Sequence, residues 1–65
     1  MWCEGSFVEN GRTYTFRVKP SKDWGFRYVV KESGGPEYIG TEPGFLGALQ
    51  MAVAALRDMI GVDHA

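Results

Sequence analysis

An α+β domain, a three- to four-stranded antiparallel meander with one C-terminal helix packed on one face (β-β-β-β-α), is the fold that this sequence predicts. Three observations predict it. Asn10-Gly11 sits between two stretches of alternating polarity, and this dipeptide is the strongest short hairpin signal. Two further alternating stretches follow, each bounded by glycine and proline turns. After Thr41-Glu42-Pro43-Gly44 the apolar spacing then changes from period two to period 3.6.

The first hairpin joins strands near 3–9 and 12–19. With Asn10-Gly11 at its tip, Glu9 pairs with Arg12, Phe7 with Tyr14, Gly5 with Phe16, Glu4 with Arg17 and Cys3 with Val18. Paired residues share a face, so Cys3, Gly5, Phe7, Tyr14, Phe16 and Val18 form an apolar side. Glu4, Ser6, Val8, Thr13, Thr15 and Arg17 form the solvated one. A slip of one residue separates Glu4 from Arg17 and turns the aromatics outward, which gives the register two independent supports.

A polar turn, Lys19 to Asp23, leads to a third strand near 24–32. There Trp24, Phe26, Tyr28 and Val30 alternate with Gly25, Arg27, Val29 and Lys31, and the first set is assigned to the core. Ser33-Gly34-Gly35-Pro36 turns the chain into a short edge strand near 37–41, with Ile39 expected opposite Val30. The helix is expected near 44–60, Pro43 preceding it and Gly61 closing it. Phe45, Leu49, Ala52, Val53, Leu56 and Ile60 fall on the stripe assigned to the sheet.

Residues 1–65 read as a single domain, without repeat, linker or low-complexity tract. A domain of this size buries only about 60% of the surface that its unfolded chain exposes, so a disulfide, a metal or self-association is a common support. Cys3 is the lone cysteine and His64 the lone histidine, so neither an internal disulfide nor a zinc cage is expected. Cys3 is read as a small apolar filler and His64 as part of a fraying end. The absence of a leader pattern and of a run of about 18 apolar residues points to a cytoplasmic protein that does not enter membranes.

Catalytic signatures are missing: there is no Ser/His/Asp set, no phosphate loop and no metal-ligand spacing. Neither an enzyme nor a cofactor is expected. The expected function is a small interaction module that forms a homodimer or binds a protein partner through the outer helix face. Gly47, Met51, Ala54, Ala55 and Asp58 are its candidate residues, because small side chains let a second helix approach closely and methionine fills irregular gaps. The alternative is nucleic-acid binding through the solvated sheet face, with Arg17, Lys19, Arg27, Lys31 and Tyr38 as candidates.

The run W-x-x-R-x-V from Trp24, with GF (Gly44-Phe45) before an alanine-rich helix, resembles in architecture the arm-type DNA-binding domains of tyrosine recombinases. That resemblance spans Trp24 to Ala55, and this chain adds an N-terminal strand and a net charge of −1. The octapeptide WGFRYVVK also matches G-F-x-Y-V of RNA recognition motifs. It departs from that motif at Trp24, Arg27 and Lys31, and a hairpin stands where that family has its first helix.

Overall fold

The computed structural model describes residues 1–64, with side chains described through Gly61. Strands β1 (Cys3–Glu9), β2 (Arg12–Pro20), β3 (Phe26–Glu32) and β4 (Glu37–Glu42) are followed by helix α1 (Phe45–His64). The strands lie in the order β1-β2-β3-β4, every neighbouring pair antiparallel. This is the predicted meander.

The first hairpin has the predicted register at every pair, from Cys3↔Val18 to Glu9↔Arg12. Asn10 and Gly11 adopt φ of 52° and 75°, the two positive values that a type I′ turn requires. Arg17 Nε donates to Glu4 Oε2 at 3.1 Å across the solvated face. Phe7 stacks on Tyr14 on the other face, with ring centroids 5.4 Å apart.

The third strand begins two residues later than predicted. Gly25 takes φ 61° and its carbonyl accepts from Ser21 N–H at 2.8 Å, so the chain is still turning there. Trp24 therefore lies in a loop and is exposed, not in the core. The last strand is shifted by one residue relative to the prediction: Val30 faces Tyr38, and Ile39 faces Val29 on the open side of the sheet. Two local features set this register. Gly35 N–H donates to Glu32 C=O at 2.9 Å around Gly34, whose φ of 74° is the positive value needed at the third position of a type II turn. In addition Gly40 faces Tyr28, and the Tyr28 ring covers it so closely that a built Cβ would stand 2.7 Å from Cε2. Phe16 covers Gly5 at the other edge in the same way, with Cζ at 2.8 Å. The two central strands thus lean aromatic rings over glycines of the two edge strands, a device that recovers packing where an edge lacks side chains.

Helix α1 begins as predicted, with Ala48 N–H donating to Gly44 C=O at 3.0 Å. It then continues through Gly61, which has no positive φ and so does not cap it. The predicted fraying at His64 concerns a side chain outside the described ones.

The helix packs chiefly on β3, then on β2 and β4. Its buried face differs from the predicted stripe. Ala48, Ala52, Ala55 and Met59 are buried with Tyr14, Val18 and Val30, whereas Val53 is exposed and Leu49, Leu56 and Ile60 are half-buried. At about 100° per residue, the centre of this face lies roughly 80° from the centre of the predicted one. Volume explains the roll: Tyr14, Phe16, Phe26 and Tyr28 already fill the inner side of the sheet, so the line of closest approach takes alanines. Larger side chains then flank it, as where Phe45 meets Phe26 edge to face at 5.7 Å.

One charge is carried into this structure. The Glu32 carboxylate is only 7% exposed and accepts from Arg12 Nη1 at 2.9 Å, while the Arg12 side chain is 52% exposed. Removing the arginine leaves a buried carboxylate without that donor, which costs about 1–3 kcal/mol. The expected result is that Arg12→Ala loses that much in urea titration and that adding Glu32→Gln recovers part of it. Equal stability of Arg12→Ala and the parent would show that the pair carries no weight.

Candidate functional site

Helix α1 and the open face of the sheet are the two surfaces that stand out. Between Phe45 and Gly61 the helix carries only two formally charged side chains, Arg57 and Asp58. A surface helix of a monomer ordinarily has a polar side opposite its buried stripe. Here a second apolar line runs beside the buried one: Leu46, Leu49, Val53, Leu56 and Ile60. Leu46 is 70% exposed and Val53 39%, while the other three are half-buried. Their spacing of three and four residues alternately places Leu46, Val53 and Ile60 at the a positions of a heptad and Leu49 and Leu56 at its d positions. An open depression lined by Leu49, Gln50, Val53, Ala54 and Arg57 lies along it.

The residues predicted for the helix interface are divided by the roll. Met51, Ala54 and Asp58 are exposed, Gly47 is half-buried beside the Glu42 side chain, and Ala55 is in the core. Ala55 therefore drops out of the candidate surface. Leu46 was missed and Val53 was assigned to the core. The heptad spacing that marks them is present in the sequence, but Leu49, Val53, Leu56 and Ile60 also fit the stripe assigned to the core, and Leu46 lies outside that stripe.

The second surface is the sheet face away from the helix. Arg17, Lys19, Arg27 and Lys31 all lie on it, exposed, on the two central strands. Tyr38 does not join them, because the shifted register places it opposite Val30 on the helix side. Val29 and Ile39 take the neighbouring open-face positions instead. The charges are not equivalent. Arg17 is paired with Glu4, and Lys31 stands opposite Glu37, whereas Lys19 stands directly opposite Arg27. Like charges in that position repel. Lys19 Nζ lies 5.5 Å from the centroid of the Trp2 ring, in cation–π range.

Among the described residues no three His, Cys, Asp or Glu side chains cluster as ligands for a metal ion. Among them, too, no helix is long and apolar enough to cross a membrane. Comparison of the chain with protein-family models, with curated proteins and with solved structures finds no match.

Proposed function

We propose that this chain is a small non-enzymatic interaction module of the cytoplasm that works as a homodimer, joined through the Leu46-Leu49-Val53-Leu56-Ile60 side of α1. The observation that carries this reading is the second apolar line at heptad spacing on a helix whose core face is already occupied by Ala48, Ala52, Ala55 and Met59. Two such lines on one helix call for two partners. The sheet is one, and a helix with the same spacing is the natural other, since a and d side chains of one helix fit the holes of its counterpart. A second copy supplies such a helix by two-fold symmetry. Pairing also adds buried apolar area to a domain too small to have much in reserve.

Sedimentation velocity at micromolar concentration tests the reading. The parent chain is expected to sediment as a dimer and Leu46→Lys/Val53→Lys as a folded monomer, because both positions belong to the apolar seam in either helix orientation and each lysine would bury a charge there. A parent chain that is monomeric at that concentration would overturn the proposal, as would a double variant that remains dimeric.

A further inference from the structure

The end of the sheet where β1 begins, β2 ends and β3 starts is built unlike the rest of the surface. Trp2 stands beside Lys19, and the loop leaving β2 carries Lys22 and Trp24 before β3 brings Arg27 back opposite Lys19. The only two tryptophans of the chain are thus at this end, each 58% exposed. An open groove of about 680 Å³ is lined by Arg17, Lys19, Lys22 and Arg27 with Asp23 and Glu37, and so includes Lys19, which stands over the Trp2 ring, and Asp23, the residue before Trp24. Four cations against two carboxylates give the groove a charge of +2 on a chain whose total is −1. Val29 and Ile39 supply its apolar floor. Among the described residues neither Lys19 nor Arg27 sits in an ion pair.

Two features of this arrangement work against the isolated fold. Lys19 and Arg27 repel across the strand pair, and two large indoles remain in water. Such local conflicts mark places where function rather than folding has set the residues. An anion laid over the groove turns the repulsion into attraction. Flat rings at its rim give the indoles something to stack on. Arg17 and Lys19 lie two residues apart on one strand, about 6.8 Å, and Lys19 and Arg27 are separated by about one strand spacing, near 4.8 Å. This is a close-set row of cations beside aromatic platforms.

We propose that this groove binds single-stranded nucleic acid, with Lys19, Lys22 and Arg27 on successive phosphates and Trp2 and Trp24 stacked on bases. A bare polyanion satisfies the cations but leaves the indoles unused. A duplex presents phosphates but hides the faces of its bases. Single strands offer both groups at once, and stacking tolerates any base because every base has a π-face. The site lies on the side of the sheet away from α1, so it does not depend on dimerisation.

The two tryptophans are also the reporters. Their fluorescence is titrated with an oligothymidylate of about 16 nucleotides, with a duplex of equal length and with heparin as comparisons. The oligothymidylate is expected to quench the emission. Its affinity is expected to fall roughly 20-fold between about 50 and 200 mM salt, for three phosphate contacts at a slope near −0.7 each. Trp24→Ala and Trp2→Ala are each expected to weaken it about 5- to 100-fold while leaving heparin binding unchanged. Lys19→Gln/Arg27→Gln is expected to flatten the salt dependence. All of these side chains are exposed, and an unchanged melting temperature confirms that each variant is folded. No quenching at about 50 mM salt would overturn the proposal. So would tighter binding of the duplex, or equal binding of heparin with no effect of either tryptophan substitution.

Discussion

Gly25→Ala is expected to lower the melting temperature by roughly 12–24 °C, from a loss of about 3 kcal/mol in a domain of this size. Two costs combine. At φ 61° a residue with a Cβ is in the left-handed region, worth about 1–2 kcal/mol. The new methyl also points at backbone: it meets the Glu42 carbonyl, with Glu42 C at 3.0 Å and Pro43 Cα at 3.1 Å. Those atoms form the junction from which β4 passes into α1, so relief requires the helix start to move. Phe26 and Phe45 meet edge to face there, and their contact would be lost with it. Gly34→Ala is the control. It shares the positive φ, 74°, but has nothing within 4 Å of its built Cβ, so it is expected to cost only the first term. If thermal melts place the two variants together, the close approach at Glu42 is not a feature of the protein in solution.

How far the fold was legible differs element by element, for physical reasons. In the first hairpin, turn chemistry, alternation and the Glu4–Arg17 pair all specify one register, and a single error in it would have violated all three. The last strand had no such redundancy. Tyr38 and Ile39 are both apolar enough to face inward, so alternation alone left two registers. The choice falls to Gly40, which alone leaves room for the Tyr28 ring. A glycine read from sequence says only that space or a positive φ is needed. It does not say whose side chain fills the space.

The candidate surfaces were legible to different degrees for a related reason. The open-face cations follow from the first hairpin and from β3, so Arg17, Lys19, Arg27 and Lys31 gather as the alternation implied. Tyr38 inherited the error in β4. Trp24 was assigned to the core because period two was carried through Gly25, where the chain in fact turns. Its exposure follows that positive φ, and it turns an expected core residue into an exposed aromatic that the nucleic-acid proposal can use.

The second large effect is expected at Ala52, and its neighbour gives it meaning. Hydrophobicity ranks Leu, Val and Ile above Ala, so a reading by periodicity places the larger side chains at the centre of the core. The structure places Ala52 there at 1% exposure and leaves Val53 on the outside. Ala52→Leu adds three carbons where the helix lies closest to the sheet, between rings that already fill the inner face, and it is expected to cost about 3 kcal/mol. Val53→Ala removes two carbons from a half-solvated site and is expected to change the stability of the monomer by less than about 0.5 kcal/mol. Both are measured by urea titration at protein concentrations low enough to exclude pairing, since dimerisation would add to apparent stability. At higher concentration the gap should narrow, because Val53→Ala weakens the proposed helix-to-helix seam and so gains a cost that Ala52→Leu, outside that seam, does not share. The opposite ordering, with Val53→Ala the costlier change in the monomer, would place the Leu-Val line against the sheet. The helix would then have no second apolar face to offer another copy, and the proposed dimer would lose its basis.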